Sequence, residues 1–163
     1  TRPLSAVSEK VAGLRFDVLG KDIYPDATFT LRLSYGVVKG WNDPVHGEVA
    51  PFTYAGGLWD RATGAYPFNL GKQWIGGQGK IAATTPFNFV TTNDVVGGSS
   101  GSPALDREGR IVGLVFDGNI HSTGGAFGFD PALNRTVAVS SQMIVEALRK
   151  IYGANALVDE LQK

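Results

Sequence analysis

Residues 97–116 read Gly97-Gly98-Ser99-Ser100-Gly101-Ser102-Pro103-Ala104-Leu105-Asp106-Arg107-Glu108-Gly109-Arg110-Ile111-Val112-Gly113-Leu114-Val115-Phe116. The second half of this stretch is a hairpin in outline. Asp106-Arg107-Glu108-Gly109 is a four-residue turn with glycine last, and it joins Pro103-Ala104-Leu105 to the apolar run 110–116. The first half is built of small residues and sits between two strand-like segments, with Pro103 stiffening its exit. A Gly/Ser stretch of this composition also suits a flexible linker. A linker between domains would not lead at once into a hairpin of the same core, and the segment is therefore read as a shaped loop.

Working outward, the pattern stays mostly strand-like. Pro86 to Val90, with Val95-Val96 across a polar Thr91-Thr92-Asn93-Asp94 turn, precedes the loop, and Thr136 to Val139 is a further short strand. Upstream, Phe29, Leu31, Leu33, Tyr35 and Val37 alternate with polar or small residues from Thr28 to Gly36, which predicts a strand with one buried and one wet face. Val38 to Trp41 extends it past a bulge at Gly36 or Gly40. Residues 42–80 are loop-rich, with Phe52, Tyr54, Leu58, Trp59, Tyr66, Phe68 and Trp74 as aromatic and aliphatic anchors.

Helical periodicity appears only at the ends. Leu4, Val7, Val11 and Leu14 recur at three- and four-residue steps after Pro3. Ile144, Ala147, Leu148 and Ile151 form a stripe behind a cap at Ser140 or Ser141, with Gly153 at the helix end. Leu157, Val158 and Leu161 predict a last helical turn.

Composition narrows the function classes. The 15 Lys and Arg balance the 15 Asp and Glu, which removes the basic footprint of a nucleic-acid binder and any charge-driven membrane binding. Without cysteine there is neither a disulfide framework nor a Cys-based zinc site. No apolar run is long enough to span a bilayer as a helix. The 22 glycines among Val, Phe and Thr point to tight turns in a mainly β core. No metal or cofactor is expected.

The small-residue loop fits one chemistry well. Attack on an amide carbonyl needs a hydroxyl held on a tight turn and backbone N–H groups aimed at the oxygen that becomes negative. Ser99, Ser100 and Ser102 all offer a hydroxyl. Gly98 allows backbone angles that turn its N–H inward, the N–H of Ser100 is the natural second donor, and Gly101 leaves room for substrate. The pattern Gly-x-Ser-Gly-[Gly or Ser]-Pro, followed by Gly-Arg-Ile-Val-Gly-Leu, matches the nucleophile region of chymotrypsin-like peptidases and selects Ser100. A serine also needs a general base. Neither His46, in a polar loop, nor His121, after a strand, lies in a setting like that family's base, and both read as exposed loop histidines.

Further residues carry a closer resemblance. The stretches 87–94, 98–103, 113–119, 24–33, 35–40 and 134–139 together resemble the bacterial dipeptidyl-peptidase family that contains dipeptidyl-peptidases 7 and 11, over nearly the whole chain from about residue 22. The resemblance implies a mainly β fold, the C-terminal β-barrel of a chymotrypsin-like catalytic domain at 21–139. It implies that 1–20 ends a preceding helical domain, in keeping with a start that is not Met, and that a C-terminal helix at 140–163 packs on the barrel. It implies a catalytic His and Asp on an N-terminal barrel absent from this chain, which is then inactive alone. Ser100 becomes the nucleophile, Gly98 and Ser100 the oxyanion site, and Asp117 the partner of the substrate's free amino group. Gly118 stands where an Arg in relatives favours acidic residues, and glycine there implies hydrophobic or bulky residues before the cut. Peptides with a free N-terminus are the expected substrates, the periplasm the expected location, and a homodimer an expected assembly, since dimers occur in that family. Two other readings compete: a non-catalytic peptide-binding module, and a self-contained hydrolase using His121 as base.

Overall fold

The computed structural model describes residues 2–20, 31–125 and 128–163. Contacts divide the chain into two units, Thr1–Leu33 and Ser34–Lys163. The first contains helix α1 (Arg2–Leu19). Of its expected apolar stripe, Val7 and Leu14 are exposed and Val11 is half-buried, because periodicity fixes which face is apolar, not what covers it.

Among its described residues the second unit carries seven strands: β1 (Trp41–Asp43), β2 (Gly47–Val49), β3 (Phe52–Tyr54), β4 (Pro86–Thr91), β5 (Pro103–Leu105), β6 (Ile111–Gly118) and β7 (Thr136–Ser140). β1 and β2 form a hairpin of their own. The other five make one antiparallel sheet in the order β3-β4-β7-β6-β5. The mainly β expectation therefore holds, with helices at both ends. β7 lies at the centre of the sheet, where Thr136, Ala138 and Ser140 are buried and the valines between them half-buried. The hairpin read from residues 103–116 is β5–β6, with Pro103 opposite Leu114 and Gly109 at a positive φ in the turn.

Gly113 sits where β6 passes under Phe89. A Cβ there would lie 2.6 Å from the Phe89 ring and 2.5 Å from the Val139 carbonyl. Only glycine lets the aromatic ring lie this close to the sheet.

Two sequence expectations need correction. The strand over 28–37 is not formed in the described part. Residues 28–30 lie outside the described residues, and 31–37 are exposed, with Leu31 at 100%, Leu33 at 87% and Tyr35 at 89% accessible. Alternation specifies two unlike faces but supplies no partner strand. Pairing begins only with a single bridge from Val38 to Thr91, preceded by side-chain and backbone hydrogen bonds that lay 34–37 along 92–94. The region 42–80 is also less irregular than expected. It holds β1, β2, β3 and the short helices α2 (Gly56–Asp60) and α3 (Lys72–Ile75), each too short for periodicity to register.

Helix α4 (Ser141–Lys150) follows β7 with Ser140 at its N-cap position, and α5 (Asn155–Leu161) completes the chain. Met143 of α4 is buried with Ala55 and Ile81, and Trp59, Trp74, Phe87 and Ile151 pack around them. Trp59 and Trp74 act as the expected anchors: Trp59 Nε1 donates to the Trp74 carbonyl and Trp74 Nε1 to the Tyr152 hydroxyl. Tyr66 does not, being almost wholly exposed.

Arg135 is the polar keystone of this unit. It is 2% exposed, and its guanidinium donates to the carbonyls of Lys39, Gly40, Pro131 and Asn134. Burial pulls its pKa below the ordinary value, with Asp130 opposing the shift. Arg135→Leu leaves those carbonyls without their donor. It is expected to destabilise the fold by about 3 kcal/mol, as loss of a buried charged donor does. A urea midpoint within error of the wild type would remove Arg135 from this role.

Candidate active site

The loop after Val96 folds back on itself. Ser99 N–H donates to the Val96 carbonyl and Ser102 N–H to the Ser99 carbonyl. Gly98 and Gly101 take φ of 96° and 88°, values that side-chain-bearing residues rarely adopt. The loop is tied to β6 at two points: Gly101 N–H donates to the Val115 carbonyl at 2.7 Å, and Val115 N–H to the Ser102 carbonyl at 2.9 Å. The backbone of Ser100 is thus held by its neighbours. Its own N–H and that of Gly98 donate to no acceptor among the described residues. The exposed Ser100 Oγ donates to the Phe116 carbonyl at 3.2 Å.

Phe116 is special because of a break in the ladder. Val115 pairs with Ala138 and Asp117 with Val137, so β6 spends two residues where β7 spends one. The resulting β-bulge frees the Phe116 carbonyl from the sheet and re-aims the next side chain. That side chain is Asp117. It is exposed, and its Oδ1 accepts the Gly118 N–H at 2.8 Å.

Ser100 and Asp117 line one cavity of about 260 Å³. Its apolar wall is Val95, Val96 and Val115, its nucleophile side Ser99 and Ser100, and its far side Gly118, Ser122, Thr123 and Gly125. Among the described residues no Lys, Arg or His lines it. The four residues singled out in the sequence converge: Ser100, Asp117 and Gly118 on this cavity, and Gly98 in the loop beside it. The place a side chain would take at Gly118 is not empty, however. A Cβ there would lie 2.7 Å from Ser122 Cβ and 3.2 Å from Ser122 Oγ. Ser122, which sequence reasoning did not single out, therefore occupies the space a side chain at position 118 would need.

His121 departs from expectation, and His46 does not. His46 is exposed at 79%, but His121 is only 24% exposed. His121 Nε2 lies 2.8 Å from Asp43 Oδ2, and His46 Nδ1 lies 3.0 Å from Asp43 Oδ1. Asp43 is buried and also accepts the N–H groups of Val45 and His46 and the indole Nε1–H of Trp41. The His121 hydrogen bond, then the two amides, hold its carboxyl far below the usual carboxylate range. An ionised carboxylate only accepts, so both ring nitrogens facing it carry protons. His121 is therefore engaged with Asp43, and no hydrogen bond joins it to Ser100 among the described residues. The sequence offered little signal for this pair, since the two residues are 78 positions apart. Among the described residues no cluster of His, Asp and Glu has metal-holding geometry. None of the described helices is long and apolar enough to cross a membrane.

A sheet that presents a small-residue loop beside a carboxylate-bearing bulge fits a peptidase. The sequence profile described as Peptidase S46 matches residues 1–163, and the chain belongs to that family. Its relatives are dipeptidyl-peptidases. The Asp/Glu-specific dipeptidyl-peptidase of Flavobacterium psychrophilum is 34% identical over 86% of this chain and 21% of its own length. Dipeptidyl-peptidase 7 of Phocaeicola vulgatus is 34% identical over 84% of this chain and 20% of its own. The crystal structure of Porphyromonas endodontalis DPP11 in complex with the dipeptide Arg-Glu superposes with a TM-score of 0.79 at 25% identity, over 90% of this chain and 22% of that one. The chain thus spans about a fifth of the length of the relatives it matches.

Proposed function

We propose that this chain is the nucleophile-bearing part of a serine dipeptidyl-peptidase that removes dipeptides from peptides with a free N-terminus. The observation that carries the reading is the bulge at Phe116. Its carbonyl receives the Ser100 hydroxyl, and the next residue, Asp117, lines the same cavity. The loop bearing the nucleophile is thereby tied to the strand that carries the amine anchor.

In this reading Ser100 Oγ attacks the carbonyl carbon of the substrate's second residue and loses its proton to a base. The oxyanion is met by the N–H groups of Gly98 and Ser100. The C–N bond breaks, the amine leaves with a proton from that base, and water releases the dipeptide from Ser100. The Asp117 carboxylate pairs with the substrate ammonium and limits how far the chain enters. The base and its orienting acid would come from sequence outside this chain, as the family resemblance implies, so the isolated chain is inactive. A purely peptide-binding module would have no use for a hydroxyl beside two unengaged amides.

Among the described residues of this chain the cavity is lined by valines and small residues and by no cation, which favours an uncharged, hydrophobic residue before the cut, although some relatives are named for Asp/Glu. A valine wall and about 260 Å³ suit such a side chain. The test is a panel of fluorogenic dipeptides and a serine-reactive phosphonate on the full-length gene product. Hydrophobic residues before the cut are expected to exceed Asp and Glu about tenfold in kcat/KM, with the phosphonate adduct on Ser100. An adduct elsewhere, or a preference for Asp, overturns the respective assignment. Periplasmic location and homodimer formation are carried over from the family as further proposals.

A further inference from the structure

The turn that closes the far side of the cavity is a 3₁₀ helix, residues Ile120–Gly124. It contributes Ser122 and Thr123 to the lining, with Gly125 just beyond. Two sets of bonds hold it. On the sheet side, Asn119 Oδ1 accepts the Ser122 hydroxyl and the Arg135 N–H, Asn119 Nδ2 donates to the Leu133 carbonyl, and Asn119 N–H donates to the Arg135 carbonyl. This fixes the start of the turn. On the other side, His121 reaches away from the cavity to Asp43 at 2.8 Å.

Asp43 is itself a rigid post. It ends β1, pairs across the hairpin with Gly47, and holds the Val45 and His46 amides in an Asx turn. The indole of Trp41 covers its second oxygen at 3.3 Å. A long, buried acceptor network of this kind is more than the β1–β2 hairpin needs, since the Asx turn uses only Oδ1. The second oxygen is directed to His121 and Trp41.

We propose that His121 and Asp43 are positioning residues for the pocket that takes the residue before the cut, holding the 120–124 turn so that Ser122 and Thr123 form a fixed wall. The inference rests on the peptidase reading above. Neither side chain lines the cavity. They act through the turn, by preventing it from swinging off the Asn119 anchor. Loss of the tie loosens the wall without moving Ser100, whose loop is tied separately to Val115 and Phe116. The signature is therefore a change in KM and in discrimination between substrates rather than in kcat.

Two substitutions at one half-buried position test this. Glutamine places an N–H near the histidine Nε2, whereas asparagine is too short to reach Asp43. In the full-length gene product, His121→Asn is expected to raise KM for the best dipeptide substrate about tenfold, with kcat within threefold. It should also narrow the preference among residues before the cut. His121→Gln is expected to restore KM to within threefold of wild type. Thermal melts check that both variants fold. An unchanged KM in folded His121→Asn, or an equal effect of the two variants, overturns the positioning role while leaving the peptidase intact. Absence of dipeptide release by the wild type overturns the peptidase reading and this inference with it.

Discussion

Ser100→Ala in the full-length gene product is expected to lower kcat for dipeptide release by about 10⁴- to 10⁶-fold, the scale of removing a serine nucleophile. The fold should not notice. Ser100 is exposed, and its hydroxyl makes one hydrogen bond, to the Phe116 carbonyl, which then turns to water. The loop itself is held by Gly101, Ser102 and Val115 backbone bonds that alanine does not touch. The melting temperature should therefore stay within error of wild type, since no interaction of the fold other than that one exposed bond is lost. Single-turnover assays with a fluorogenic dipeptide, beside a melt, separate the two. Substantial residual turnover would move the nucleophile to another residue, with Ser99 and Ser102 the next to replace.

Asp117→Asn is the second large effect. Asparagine keeps an oxygen to accept the Gly118 N–H that Asp117 Oδ1 accepts at 2.8 Å, so the bulge is expected to persist. What is lost is the negative charge. A charge-assisted bond is worth about 1.5–3 kcal/mol net, so kcat/KM for peptides with a free ammonium should fall about 10- to 150-fold. N-acetylated peptides carry no ammonium and should be cleaved poorly by both proteins, with a far smaller change. The decisive quantity is the ratio of free to acetylated substrate. If Asp117→Asn leaves that ratio where it was, the carboxylate is not the amine anchor.

Legibility differed by the range of the interaction. The β5–β6 hairpin was readable because its turn, Asp106-Arg107-Glu108-Gly109, and both strands lie within sixteen consecutive residues. α4 was readable from its own stripe, although Met143, its most buried side chain, lay just off that stripe. The strand over 28–37 was over-read, because alternating Leu31, Leu33 and Tyr35 describe a surface and not its partner. On the candidate site, the small-residue loop singled out Gly98 by local geometry and Ser100 by its match to the chymotrypsin-like pattern, and the family resemblance singled out Asp117 and Gly118. The bulge that unites them was invisible, since it arises from a register shift between β6 and β7 that no residue type announces. The Asp43–His121 pair and the Arg135 clamp were invisible for a related reason. Each joins segments that meet only after the sheet has formed, and a buried arginine in Asn134-Arg135-Thr136 looks like a surface arginine until its carbonyl partners arrive.

Met143 gives the molecule an oxidative weak point that is also a shield. It is the sole sulfur atom in a chain without cysteine, and it is buried between α4 and the Ala55–Ile81 layer. Peroxide therefore has no thiol to consume and no thioether within reach while α4 stays docked. Conversion to the sulfoxide requires α4 to lift, and once formed it places a polar oxygen in a space built for hydrocarbon, which opposes re-docking.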